Sequence, residues 1–149
     1  MALKAHYVIL MADDDAEDCM LVRDAMQEAG LRHQLRFVSN GEELLEYLTR
    51  DAGYESPQSS PRPDLVLLDL AMPKKGGREA LRELKSNPRL QRIPVVVLTT
   101  STAPDDIDYS YFTGANSYVT KPVTFRAWVD LLTTISNYWF KIVELPLTE

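Results

Sequence analysis

The chain has 149 residues, 45% of them hydrophobic and 26% charged, which is the size and composition of one globular unit with a core of its own. A net charge of −6 leaves no basic footprint for nucleic acid and disfavours an anionic membrane surface, whereas it suits a cation or a basic partner. No apolar run approaches the ~20 residues that span a bilayer, Met1 to His6 carry no secretory signal, and the single cysteine, Cys19, can form no internal disulfide, so a cytoplasmic protein is expected.

No internal repeat is present, and the apolar pattern alternates between two kinds. The first β-rich run, Tyr7–Met11, leads into Asp13, Asp14 and Asp15. Residues 16–29 then carry Cys19, Leu21, Val22, Ala25, Met26 and Ala29 close to helical spacing, with Cys19 read as a small core residue. A second strand, Leu35–Val38, precedes Asn40, the expected N-cap of a helix over 41–50 built on Leu44, Leu45 and Leu48. Asp51–Pro63 is rich in Gly, Ser and Pro and reads as a surface loop, not a domain linker. The third run, Leu65–Leu68, delivers Asp69, and residues 77–86 offer Ala80, Leu81 and Leu84 as a helix face. Val95–Leu98 is the fourth strand and ends at Thr99. Thr102 to Asp105 resembles a capping box opening a helix over 104–113. The fifth strand, Tyr118–Val119, runs into Thr120, Lys121 and Pro122, and residues 123–143 form the last and longest helical pattern.

Strands alternating with helices predict an α/β fold with a parallel sheet covered on both faces. Leu65–Leu68 and Val95–Leu98 are apolar on both sides of the pleat, as central parallel strands require. Five such strands predict a flavodoxin-like (βα)5 doubly wound sheet in the order 2-1-3-4-5. Ligands in such sheets sit beyond the carboxyl ends of the strands. There the chain places Asp13, Asp14 and Asp15, then Asp69, Thr99 and Lys121. Clustered carboxylates repel one another, and a hard divalent cation such as Mg²⁺ removes the repulsion. Lys121 supplies a compact cation for an anion beside that metal, and Thr99 a hydrogen-bond donor. The set describes an aspartate that accepts a phosphoryl group.

Taken singly, these residues have plainer readings. The Asp13–Asp15 run could cap the first helix, a role assigned to Asp15 or Asp18, and Asp69 could be a turn residue before Met72 and Pro73. Thr99 and Lys121 alone are uninformative, and Tyr118 alone reads as a packing aromatic. His6 and His33 are single and unpartnered in the sequence, and neither is assigned to catalysis or a metal. The joint placement, each residue at its own strand end, is what chance does not supply.

The motifs from Val8 to Asp15, Pro63 to Pro73, Pro94 to Ser101 and Tyr118 to Pro122 resemble the response-regulator receiver family of two-component signalling. The resemblance spans nearly the whole chain and implies a single receiver domain over 1–149, with the last helix extended at about 138–149. It implies that Asp69 is the phosphoacceptor. Asp14 would be the direct Mg²⁺ ligand, Asp13 would act partly through water, and Ala71 would offer its backbone carbonyl. It makes Lys121 the phosphate-pairing lysine, Thr99 the switch hydroxyl and Tyr118 the switch aromatic, with a cis bond before Pro122. Ala71 departs from the family's frequent Asn, and Thr100 is bulkier than its frequent Ala. The long loop before the third strand, the Met72 to Gly77 stretch and the Tyr138-Trp139-Phe140 ending resemble stand-alone regulators paired with bacteriophytochrome-type kinases. The implied function is phosphoryl transfer from a sensor histidine kinase to Asp69, with no enzymatic activity beyond the domain's own phosphorylation and dephosphorylation. Output would be by association with a further protein.

Three rivals fit less well. A haloacid-dehalogenase-type phosphatase needs a second acid where Ala71 stands. A flavin or nucleotide binder would not put Asp13, Asp14 and Asp15 at its phosphate site. A phosphorylation-independent receiver would not keep the full residue set. A homodimer is expected through the last helix, where Trp128, Leu131, Leu132, Ile135, Trp139 and Ile142 follow helical spacing. If 123–143 is all helical it is roughly 30 Å long, longer than a strand of ~17–20 Å, so the final turns should overhang the sheet.

Overall fold

The structure is a computed structural model and describes residues 6–51, 53–58 and 60–147; the last two residues of the expected C-terminal extension lie outside them. Five strands, β1 (Val8–Ala12), β2 (Gln34–Val38), β3 (Leu65–Leu68), β4 (Val95–Thr99) and β5 (Ser117–Thr120), form one sheet in the order β2-β1-β3-β4-β5. Every pairing is parallel. Between and after them run α1 (Ala16–Glu28), α2 (Gly41–Thr49), α3 (Gly77–Ser86), α4 (Pro104–Thr113) and α5 (Phe125–Asn137). The predicted fold and strand order are those observed, with element ends shifted by one or two residues in most places.

The sheet separates two apolar layers. On one face Leu10, Val66, Leu68, Val95 and Val97 meet Leu44, Leu81 and Leu84 of α2 and α3. On the other, Ile9, Met11, Leu67, Val96 and Leu98 meet Val22 and Met26 of α1 and Trp128 and Leu132 of α5. Every residue of β3 and β4 is buried, which explains why neither shows a polar alternation. Burying each Leu or Val side chain contributes roughly 1.5–3 kcal/mol, so these two strands anchor the domain and fix the height at which Asp69 and Thr99 emerge.

Helix starts are set locally. Asp15 caps α1 by accepting the Glu17 and Asp18 N–H groups at 2.9 and 3.2 Å. Asn40 caps α2 through the Glu43 N–H, and Glu43 accepts in return from the Ser39 N–H at 2.7 Å. The capping box expected at Thr102 does not form. Pro104 stands at the first turn of α4 after an Ala103 that has no side-chain cap, and Ser101 instead accepts the Ala103 N–H.

The tail corrects the expected overhang. The α5 hydrogen bonding ends at Asn137 and widens into a π-helical turn, Tyr138–Ile142, closed by the Val143 N–H on the Tyr138 carbonyl at 2.9 Å. The extra residue in that turn swings Phe140 inward, where it is 4% exposed and stacks on Tyr7 with ring centroids 4.3 Å apart. Trp139 and Leu145 pack on the same layer. Half of the predicted dimer stripe is core: Trp128, Leu132 and Ile135 are buried, Leu131 and Trp139 are partly buried against the same layer, and Ile142 stays exposed, as does the neighbouring Tyr138.

Candidate phosphoryl-accepting site

The last rungs of the sheet build the site. Asp13 N–H donates to the Val38 carbonyl of β2, Asp69 N–H to the Ala12 carbonyl of β1, and Lys121 N–H to the Thr99 carbonyl of β4. Each strand thus releases its functional residue at the same level, beyond its carboxyl end. The loop after Asp69 is clamped by backbone contact: Gly77 donates to the Leu70 carbonyl, and a Cβ there would collide with the Asp69 carbonyl oxygen. Gly41 donates to the Lys75 carbonyl and has no room for a Cβ against that oxygen.

Asp13 and Asp69 are buried, and Asp14 is exposed at the rim. The carboxylates of the two buried residues split their oxygens in the same way. Asp13 Oδ1 accepts the Asp15 N–H at 2.9 Å, and Asp69 Oδ1 accepts the Ala71 N–H at 3.3 Å. Their Oδ2 atoms face the Lys121 ammonium at 2.8 and 3.1 Å. Burial pushes the Asp13 carboxyl up to about 6, although Lys121 pulls the other way. Burial alone would lower the Lys121 ammonium, but hydrogen bonds from it to Asp13 and Asp18 raise it above its ordinary value. Lysine is therefore a fixed cation in this site.

The ligand oxygens of Asp13, Asp14 and Asp69 lie within 4.8 Å of one another. A buried carboxylate held up by desolvation, beside two more, is an environment that a hard divalent cation with oxygen ligands relieves. Thr99 is buried, and its Oγ1 has no hydrogen-bond partner among the described residues. A buried hydroxyl with nothing to bond is a donor waiting for an acceptor. Two residues on, the Ser101 carbonyl accepts from the Tyr118 hydroxyl at 2.8 Å, which ties the loop after Thr99 to the half-buried Tyr118 ring.

All the predicted site residues are thus gathered at one end of the sheet. One expectation changes, one pair of alternatives is decided and one contact is new. The Lys121–Pro122 bond is trans, since no cis peptide occurs among the described residues, and Lys121 reaches both aspartates without it; trans is the cheaper isomer by about 0.5–1 kcal/mol. Asp15, not Asp18, caps α1. Asp18 instead accepts from Lys121 at 2.6 Å, a contact the sequence reading missed. The signal was present in Asp15-Ala-Glu-Asp18: an acid three residues after a cap usually reaches back to the cap's N–H. Here that N–H already donates to Asp13, so the Asp18 carboxylate is released toward Lys121. His33 is also partnered, accepting the Tyr7 N–H at its Nδ1 and meeting Ser136 Oγ at 2.9 Å, but it precedes β2 and so lies at the opposite end of the sheet.

Comparison with known proteins agrees with this geometry. Residues 9–133 match the family described as response regulator receiver domain. The response regulator Rcp1 of Synechocystis sp. is 41% identical over 139 residues, covering 93% of this chain and 92% of that protein. The crystal structure of the phosphorylated cyanobacterial phytochrome response regulator RcpA superposes with a TM-score of 0.87 at 39% identity, over 95% of this chain and 99% of that one. A Mn²⁺-bound form of Rcp1 superposes with a TM-score of 0.84 at 40% identity, over the same shares of the two chains.

Proposed function

The chain belongs to the response-regulator receiver family and is a signalling receiver domain, not a catalytic one, and from that premise we propose that Asp69 accepts a phosphoryl group from the phosphohistidine of a sensor histidine kinase. The observation that carries the residue assignment is the convergence on Asp69: a lysine ammonium at 3.1 Å, two further carboxylates and an orphaned hydroxyl on the neighbouring strand. A divalent cation belongs to this family's acidic pocket, and Mg²⁺ is the proposed one, held by Asp13, Asp14, Asp69 and the Ala71 carbonyl. It would neutralise the transferring oxygens. Asp69 supplies the attacking carboxylate oxygen. As the new P–O bond forms, the P–N bond to the histidine breaks and the imidazole leaves with the electron pair. Lys121 and Thr99 then hold the equatorial oxygens of the acyl phosphate.

The similarity to cyanobacterial phytochrome regulators supports a phytochrome-type kinase as the donor. No helix among the described residues is long and apolar enough to cross a membrane. A stand-alone, cytoplasmic regulator is proposed, signalling by association with another protein. Movement of Thr99 toward the phosphoryl group would shift the loop that carries Ser101, and with it the Tyr118 hydroxyl bond. That shift would re-form the surface of α4, β5 and α5. A second copy of the chain is one proposed partner on that surface.

Incubation with Mg²⁺ and a small phosphodonor, read by intact mass, tests the assignment. The wild type is expected to gain one phosphoryl group and Asp69→Asn none. Equal labelling of the two proteins would overturn it.

A further inference from the structure

Lys121 is enclosed by acids. An ammonium has three N–H donors. Here three carboxylates surround it: Asp18 at 2.6 Å, Asp13 at 2.8 Å and Asp69 at 3.1 Å. Two of them, Asp18 and Asp69, accept hydrogen bonds from it and Asp13 is an ion pair, so an anion bonded to Asp69 must share Lys121 with acids already in contact with it. Two are displaced by the phosphorylation chemistry itself. Asp69 is the acceptor, so the oxygens of the incoming group take its place at the ammonium. Asp13 belongs to the three-acid cluster, and a cation there would draw its charge away from Lys121. Asp18 is outside that cluster, and its side chain is only 20% exposed. It is also carried on the first turn of α1, which the Asp15 cap fixes in place. Nothing in the chemistry of the site removes it.

We propose that Asp18 is a positioning residue that competes with the phosphoryl group for Lys121, so that its charge weakens the site's hold on an anion while strengthening its hold on a cation. The inference rests on the receiver reading of Asp69 and Lys121. It follows from sign alone. A fixed negative charge in contact with Lys121 offsets part of the lysine's field at the phosphoryl position and adds to the negative field at the metal position. Partial burial of both partners keeps salt from screening the effect away. A plain structural ion pair would instead hold α1 to the strand ends, and its loss would loosen both sites together.

The opposite signs make the test. Full-length wild type and Asp18→Asn, which keeps the shape and an acceptor oxygen, are titrated with Mg²⁺ alone. They are then titrated with beryllofluoride, a tetrahedral mimic of the acyl phosphate, at saturating Mg²⁺. The variant is expected to bind Mg²⁺ a few-fold more weakly and beryllofluoride on the order of tenfold more tightly, which corresponds to about 1.4 kcal/mol. Asp18→Ala should move both affinities in the same directions. Beryllofluoride affinity that is unchanged or weaker in both variants overturns the proposal and leaves the receiver reading standing. Wild type that takes up no beryllofluoride overturns both.

Discussion

The Thr99 hydroxyl is buried and unpartnered among the described residues, which makes it a cost to the resting state. A buried polar group left without a partner is worth roughly 1–3 kcal/mol of destabilisation. Thr99→Val keeps the branched shape and removes the hydroxyl. It is therefore expected to raise resting stability by about 1 kcal/mol in urea unfolding, and to abolish the change in Tyr118 fluorescence environment on phosphorylation. A variant destabilised by that amount would show that the hydroxyl is satisfied in the resting state, and would remove it as the waiting donor. At this scale the sequence was informative because four of the residues stand at strand ends, where the backbone ladder dictates their height and direction. Asp69 follows four buried residues with no freedom to stand elsewhere. Asp18 was not legible in the same way. Its direction depends on whether the Asp15 N–H is free, and that depends on Asp13, a residue on a different element.

The same limit holds for whole elements. The 3.6-residue periodicity of the last helix continues past Asn137, so nothing in the pattern announces a wider turn. The π turn goes with a tertiary contact: from within it Phe140 enters the layer beside Tyr7 and His33. His33 is the polar centre of this junction, joining β1, the start of β2 and α5. Since Nδ1 accepts the Tyr7 N–H, the proton sits on Nε2 and is donated to Ser136 Oγ. Burial lowers its pKa below 6.5, with His6 adding to the effect and Asp64 partly opposing it. The folded state then binds fewer protons than the unfolded one. Its contribution is complete above the unfolded value of about 6.5 and is lost as pH falls through the folded value. Asp13, raised to about 6 by burial, has the opposite slope over the same range, so wild type must be compared with a variant that shares it. Relative to His33→Asn, wild type is expected to lose on the order of 1 kcal/mol, one hydrogen bond's worth, between pH 7.5 and 5. Parallel stability curves for the two proteins would show that His33 does not titrate within this junction.

For the whole molecule, the inward turn of Phe140 changes the ground for self-association without removing it. Phe140 is core and not overhang, so removing the residues after Asn137 would delete a buried side chain and confuse stability with assembly. What remains open is a groove of about 400 Å³ between the β5 edge and α5, lined by the exposed Tyr138, the partly buried Val119, Leu131 and Trp139, and the buried Ile135. Ile142 lies at its far end in sequence, 71% exposed. Apolar surface of this kind, beside an edge strand, is characteristic of interfaces. A stable dimer buries roughly 1,600 Å² in total, more than the groove supplies. A dimer contact would then have to extend over β5 to α4, where Phe112 is 91% exposed. That is the surface Tyr118 and Thr99 would re-form, so phosphorylation and association would draw on the same elements. The double variant Tyr138→Ser, Ile142→Ser removes exposed apolar area while leaving Phe140 in the core, and so separates assembly from folding. Wild type is expected to sediment as a dimer at micromolar concentration, more completely with phosphodonor. The double variant is expected to sediment as a monomer, with a cooperative unfolding midpoint that no longer depends on protein concentration and matches that of wild type diluted to the monomer. Wild type that stays monomeric both with and without phosphodonor would rule the dimer out and leave the groove to a different protein.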